Sequence, residues 1–367
     1  MSRSCFLRYV AVWAAVLGCG CVSAASQSFT DPLDQVAAST SKAAMAPLMA
    51  VARLPNGRLV AAGRRGIIVY TDESQAWQQA QVPAAVDLVA LSFIDDDQGW
   101  AVGHGGIVLN TADGGRSWRK QIDGRQIVDL LIDHYQALAQ SGDEKAQASL
   151  LDAQGLKESG PGWPLLDVWF ADARQGYVVG AYNLALRTDD GGQHWTVISD
   201  QLDNPLGMHL TSIHAVDGEL FITGEQGLLL RRQGDRFVAV STPYTGTFFG
   251  LLARPGLLLA YGLRGNAFIS HDSGDSWQTV QTGTQSTLTA GAVLNDRSLV
   301  LASLSGEVLL SRDDGMNFKP IRTDQPMPFY GVSRDTDQGL VLVGARGVQR
   351  QALNVEISRE RLDAAAI

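Results

Sequence analysis

Four arginines, a histidine and a tyrosine stand at matching points of one repeated turn, where together they could hold an anion. The turns read Gly63-Arg64-Arg65-Gly66, Gly103-His104-Gly105-Gly106, Gly180-Ala181-Tyr182-Asn183, Gly262-Leu263-Arg264-Gly265 and Gly344-Ala345-Arg346-Gly347, and a further copy carries Glu225 and Gln226. A guanidinium presents paired, planar donors that match a carboxylate, so Arg64, Arg65, Arg264 and Arg346, with His104 and Tyr182, form the candidate partner-binding set. The whole chain has a formal charge of −9, which makes any arginine cluster a local basic ring and disfavours a general nucleic-acid role. The plain alternative is that exposed loop tips simply carry charge.

A second recurring group is acidic. TADGGRSW (111 to 118), TDDGGQHW (188 to 195) and SHDSGDSW (270 to 277) match the Asp-box pattern [ST]xDxGxxW. SRDDGMNF (311 to 318) has Phe318 in the tryptophan slot, YTDESQAW (70 to 77) keeps Asp72 and Trp77 without the glycine, and RRQGDRF has lost the box. Such loops could be calcium sites, but a calcium ion needs several converging oxygens and these share one recurring aspartate each. The structural role is the better account: Asp72, Asp113, Asp190, Asp272 and Asp313 accept backbone N–H groups within a turn, and Trp77, Trp118, Trp195, Trp277 and Phe318 pack beneath the neighbouring strand.

These residues need elements to position them, and the repeat supplies those elements. The first small residue of each turn falls at Gly63, Gly103, Gly180, Gly224, Gly262, Ser303 and Gly344, at intervals of 40, 77, 44, 38, 41 and 41 residues. A period of about 40–50 residues built from short strands and glycine turns indicates a β-propeller with one four-stranded blade per repeat. In the first unit strand A is expected near Leu48 to Leu54, B near Leu59 to Ala62, C near Ile67 to Thr71, and D from Trp77. The expected fold is therefore all-β, a seven-bladed propeller of antiparallel blades over residues 45–361, with a short tail at 362–367. Its B to C turns and D to A connections should share one face, and the Asp-boxes should lie on the other.

The 77-residue interval holds the one large insertion, about residues 124–162. Ile127, Val128, Leu131, Tyr135 and Leu138 recur at helical spacing, and a second helix is expected up to about Gln154. Near the turn face lie Tyr244, Phe248, Phe249, Phe329, Tyr330, Trp163 and Trp169, and core packing is the expectation for Trp169, Phe249 and Tyr330. Closure of the seventh blade is expected from Ala352 to Arg361 or from Phe29 to Gln35.

The first 24 residues place Arg3 and Arg8 before an apolar run and end Val22-Ser23-Ala24, as a secretory signal peptide does. Residues 25–44 then form an N-terminal extension. A competing reading makes Cys19 a lipidated residue in a lipoprotein box. All three cysteines (Cys5, Cys19, Cys21) lie in this segment, so the soluble mature chain would carry no disulfide and no thiol nucleophile. The expected location is periplasmic.

With Asp-boxes, an export signal, seven units and the phrase VGHGGIVLNTADGGRSW (102 to 118), the chain resembles the photosystem II stability/assembly factor family. The resemblance covers most of residues 45–350. It implies a non-enzymatic assembly factor for a membrane complex that contacts its partner through an arginine-rich patch, for which Arg64, Arg65, Arg264 and Arg346 are the candidates. The helical insertion departs from the simplest family pattern, and nothing in the chain indicates photosynthesis.

The rival class is a sialidase-like glycoside hydrolase or a carbohydrate-binding propeller. Ala52-Arg53-Leu54-Pro55 looks like the sialidase FRIP motif, in which Arg53 would grip a substrate carboxylate, but no tyrosine and glutamate pair accompanies it. His209 and His214 lie five apart, and no HxxxH or HExxH pair points to zinc. No metal, cofactor or small-molecule substrate is expected. The reading is a monomeric exported scaffold that binds a membrane-associated complex or its extramembrane loops through the turn face.

Overall fold

A computed structural model of the chain describes residues 29–160, 162–294, 297–336 and 339–353. Those residues form seven antiparallel sheets, six with four strands and the last, among the described residues, with three. Blade 1 shows how closely turn chemistry dictates the strands: Leu48–Arg53, Leu59–Gly63, Ile68–Thr71 and Trp77–Gln79, in the spatial order A-B-C-D. Asn56-Gly57 makes the A to B hairpin, with Gly57 at a φ of 89°.

The remaining A strands are Leu88–Phe93, Leu165–Phe170, Leu210–Val216, Phe248–Arg254, Leu288–Val293 and Phe329–Thr336. Each contacts the A strands of its two neighbours, and the last contacts the first, so the A strands close a ring. B strands read as continuous apolar runs because each is sandwiched between two blades; Leu59–Gly63 and Leu299–Ser303 are buried at every residue. One apolar cluster fills each of the seven junctions between neighbouring blades. The core is thus radially divided, and this is how a single domain grows to this size.

The insertion is two antiparallel helices, α1 (Gly124–Gln140) and α2 (Glu144–Ser159). Asp123 caps α1 by accepting the Arg125 N–H, while Gln126 reaches back to the Asp123 N–H in a capping box. Helix α2 runs five residues beyond the expected Gln154, because Gly155 stays within the helix and the chain leaves it only at Gly160, at a φ of 94°. Ile127 and Leu131 of α1 and Ala153 of α2 join the apolar cluster between blades 2 and 3, so the hairpin is part of the core there.

Residues 31–40 lie along blade 1, and among the described residues they pair with none of blade 7. Ala37 N–H donates to the Val82 carbonyl (3.0 Å), Ala85 N–H to that of Pro32 (2.8 Å), and Leu33 is buried in the junction of blades 1 and 2. Asp34 is gripped by both terminal nitrogens of Arg125 (2.7 and 2.8 Å) and by Lys120 (2.8 Å), which hold its carboxyl well below the usual range. The expected closure of the seventh blade by Phe29 to Gln35 is therefore corrected, since this stretch buries an apolar side chain elsewhere. Of the alternative, Ala352 to Arg361, residues 354–361 lie outside the described residues. So does the proposed signal peptide.

Candidate functional site

The repeated turns and the A strands meet by a bond that recurs in all seven blades. The N–H of the second turn residue donates to the carbonyl of the residue that precedes strand A: Arg64 to Pro47, His104 to Asp87, Ala181 to Pro164, Glu225 to His209, Leu263 to Thr247, Leu304 to Thr287 and Ala345 to Pro328. The turns also touch the incoming connection of the next blade, as where Gly66 N–H donates to Val86 and Gly227 N–H to Gly246. A Cβ on Gly66 would stand 1.9 Å from the Ala84 carbonyl oxygen, so glycine is required for that approach. B to C turns and D to A connections therefore share one face, as expected.

A second regularity had no counterpart in the sequence reading. Every A–B pairing carries a β-bulge at the second residue of strand A, which leaves Met49, Val89, Leu166, Thr211, Phe249, Thr289 and Tyr330 without a partner on strand B. A bulge re-aims its side chain, and these seven surround the mouth of the central channel on the turn face. Core packing was the expectation for Phe249 and Tyr330, and it holds instead for their neighbours. Phe248 and Phe329 are fully buried, Phe249 is 38% exposed and Tyr330 is half-buried. Trp169 is half-buried against the cluster between blades 3 and 4. In six of the seven blades a small residue follows the bulge, for example Ala50, Ser212 and Gly331, whereas blade 3 has Asp167 there.

The six candidate residues are all exposed at the tips of their turns. Arg65, Tyr182 and Arg264 adopt left-handed backbone with φ of 54°, 54° and 57°, a conformation that holds the side chain away from the blade. Arg64 approaches Asp87 at 3.8 Å, and the same carboxylate accepts the Arg65 N–H (2.9 Å). Arg346 donates to the Pro326 carbonyl (2.8 Å). Among the described residues no carboxylate lies within ion-pair distance of Arg65, Arg264 or Arg346. The arginines occupy blades 1, 5 and 7, so the expected ring is an arc, and blades 7 and 1 are neighbours.

Tyr182 belongs to a different group. Its ring packs on His209 (4.5 Å) and Trp163 (5.2 Å), and its N–H donates to His209 Nδ1 (3.2 Å). Glu225 accepts the His209 N–H (2.9 Å). Sequence reasoning treated His209 as isolated; its partners come from blades 3 and 4 and are distant along the chain. His104 lies between the extension and the insertion, since Gly105 packs on Leu33 and Gly106 on Gly124.

On the inner wall, burial pushes the Asp167 carboxyl up to about 7, although it accepts the N–H of Ile213 (2.8 Å) and Val168 (2.8 Å). Burial also pushes His214 down to about 4. Asp167 thus links blade 3 to strand A of blade 4. Arg53, the candidate from the sialidase-like tetrapeptide, donates to the Asp335 carbonyl (3.0 Å) at the far end of strand A, remote from the turn arginines. Among the described residues no His, Cys, Asp or Glu cluster could hold a metal ion. None of their helices is long and apolar enough to cross a membrane.

Opposite the turn face, the Asp-boxes saturate themselves. Asp113 accepts the N–H groups of Arg116 (3.0 Å) and Ser117 (3.0 Å) and the Ser117 hydroxyl (2.6 Å), while Trp118 Nε1 donates to Gly115. Asp190, Asp272 and Asp313 do the same with His194, Ser276 and Asn317, whose bonds lower each carboxyl to about 2. Asp72 is likewise lowered, by the Ser74 hydroxyl first. Trp118, Trp195 and Phe318 are buried between blades, and Trp77 and Trp277 are half-buried there. Blade 4 has lost the aspartate yet keeps the aromatic wedge: Phe237 is 2% exposed in the junction of blades 3 and 4.

This arrangement has known counterparts. Residues 69–145 and 160–241 match the family described as photosynthesis system II assembly factor YCF48. The chain is similar to that family over less than half of its length. It is 31% identical over 123 residues to the photosystem II assembly lipoprotein Ycf48 of Synechococcus sp. (strain CC9902), covering 32% of this chain and 37% of that protein. It is 28% identical over 218 residues to the chloroplastic photosystem II stability/assembly factor HCF136 of Cyanidioschyzon merolae, covering 55% of this chain and 48% of that protein. The chain therefore aligns with half or less of either relative. A solved structure of YCF48 bound to D1 peptide superposes with a TM-score of 0.62 at 14% identity, over 85% of this chain and 95% of that one, which shows the shared propeller fold.

Proposed function

We propose that this Ycf48-like propeller is an exported, non-enzymatic accessory factor that holds an acidic extramembrane segment of a membrane-associated complex on its turn face. The observation that carries this reading is the arc of arginine tips on blades 5, 7 and 1, where Arg65, Arg264 and Arg346 face solvent with no acidic partner among the described residues. Solvent-facing guanidiniums on a protein of net charge −9 are a recognition feature by their contrast with the rest of the surface. The relatives support it, since two are assembly factors by name and a YCF48 structure holds a peptide. The N-terminal 24 residues supply the export signal, and the protein acts as a monomer. His104 and Tyr182 flank the arc and contact the partner from blades 2 and 3.

Affinity capture from membrane fractions tests the reading. The wild-type protein should enrich a membrane protein, and Arg64→Glu, Arg65→Glu, Arg264→Glu and Arg346→Glu combined should abolish that capture. Capture that survives the four reversals would overturn the assignment of the site. Deleting residues 125–160 in parallel asks whether the helical hairpin selects the partner.

A further inference from the structure

The bulge is apolar in five blades and threonine in two, and in blades 2 and 3 the apolar bulges Val89 and Leu166 accompany His104 and Tyr182. In blades 1, 5 and 7 the tip is arginine and the bulge is large and apolar: Arg65 with Met49, Arg264 with Phe249, Arg346 with Tyr330. In blades 4 and 6 the tips are Gln226 and Ser305 and the bulges are threonines. Those threonines are occupied, because Thr211 donates to the Phe248 carbonyl (2.7 Å) and Thr289 to that of Phe329 (2.6 Å), each crossing to the next blade. The recurring bond from the turn N–H to the residue preceding strand A sets each tip beside its own bulge, two residues further along. Blades 1 and 5 therefore present a guanidinium, and blade 7 one bonded to the Pro326 carbonyl, next to an apolar side chain without a strand-B partner at the channel mouth.

We propose that the acidic segment carries an aromatic or leucine-like side chain, which seats in the channel mouth against Met49, Phe249 and Tyr330 while its carboxylates meet Arg65, Arg264 and Arg346. This rests on the functional reading above and adds the apolar anchor to it. The occupant follows from charge and apolar character together. The mouth offers apolar surface that no strand-B partner covers, Phe249 being 38% exposed. Glu307 of blade 6 is bonded to the hydroxyls of Thr284 and Ser305, and Asp87 approaches Arg64 and accepts the Arg65 N–H. A basic or purely polar segment satisfies neither half of the arrangement. An acidic segment without an apolar side chain leaves the mouth in water and forgoes the burial of an aromatic ring.

Two labelled twelve-residue peptides of Asp, Glu and Gly, one with a central Phe and one with Gly there, serve as probes in anisotropy titrations with the full chain. The Phe peptide should bind about tenfold more tightly than the Gly peptide. Phe249→Ala with Tyr330→Ala should bring the two affinities together, and Phe249→Leu with Tyr330→Leu should keep most of the difference. Arg65→Gln, Arg264→Gln and Arg346→Gln should weaken both peptides equally and preserve their ratio. Equal affinities in the wild type, no binding of either peptide, or a ratio unmoved by the alanine pair would each overturn the anchor. Membrane capture abolished by the arginine reversals would then leave the broader reading intact; absence of capture beside a tenfold peptide ratio would overturn that reading and retain the anchor.

Discussion

Each of the first six blades makes two turns at opposite ends of strand C, and the two sets spend their polar groups differently. In the Asp-box turns the carboxylate accepts the backbone and side-chain donors of its own loop, and the aromatic that follows is wedged between blades. In the B to C turns the backbone is tied to the start of strand A, while the Arg65, Arg264 and Arg346 side chains have no acidic partner among the described residues. Repetition alone does not separate structure from function; what separates them is whether a repeated polar group already has its partner inside the protein. By that criterion one end of the propeller is a fastening and the other is a surface for recognition.

The largest effect that could break this partition is removal of an Asp-box aromatic. Trp118 is 7% exposed and joins strands of blades 1 and 2, so Trp118→Ala should cost about 3–5 kcal/mol, read as a lowered urea midpoint. Trp277 is half-buried, and Trp277→Ala should cost distinctly less. Neither substitution should change the ratio of the two peptide affinities.

Glycine to alanine at equivalent points of the two turn sets sharpens the comparison. Gly66 has a φ of 72° and its Cβ would stand 1.9 Å from the Ala84 carbonyl, so Gly66→Ala should cost about 2–3 kcal/mol and disturb the adjacent Arg65. Gly274 has a φ of 91° with nothing nearer than 3.6 Å, and Gly274→Ala should cost only the backbone strain, about 1–2 kcal/mol. Equal losses at the two sites would mean that the close approach on the turn face is dispensable.

Much of this was legible in the sequence, for physical reasons that also mark its limit. Strands of blade 1 fall within a residue of expectation because Asn-Gly, glycine turns and Asp-boxes punctuate them locally. The hairpin insertion was readable from the spacing of Ile127, Val128 and Leu131. The bulges were not, because Leu48-Met49-Ala50 reads as plain strand and one extra residue leaves the apolar run unbroken. Phe237 was missed because the aromatic wedge outlasts the aspartate motif by which it is recognised. The corner of Trp163, Tyr182, His209 and Glu225 was missed because it exists only once blades 3 and 4 stand side by side. Residues 31–40 bury Leu33 in a place to which no local pattern points.

Acid should loosen the fastening end selectively. Asp190, Asp272 and Asp313 are held at about 2 against an ordinary 3.8, so the folded state binds their protons less readily than the unfolded chain does. Their contribution is fully present above that ordinary value and is lost as pH falls from about 4 towards 2. Urea midpoints measured across this window should decline with pH. Asp272→Asn should be less stable at neutral pH and should show a shallower decline.

The smallest effect is the one on which the partition most depends. Replacing Arg64, Arg65, Arg264 and Arg346 with glutamine should leave the urea midpoint within about 0.5 kcal/mol of wild type, the range of ordinary surface substitutions. Arg64 meets Asp87 only at 3.8 Å with its side chain 65% exposed, a pair of little worth in water. Arg346 has one tie, to the Pro326 carbonyl, whose loss falls on an exposed loop. A near-zero change in stability with a large loss of peptide affinity is the signature of groups whose partner lies outside the protein. If the four substitutions together cost well over 1 kcal/mol, the tips would be fastenings like the Asp-boxes, and the recognition face would have to be sought in the aromatic corner of blades 3 and 4.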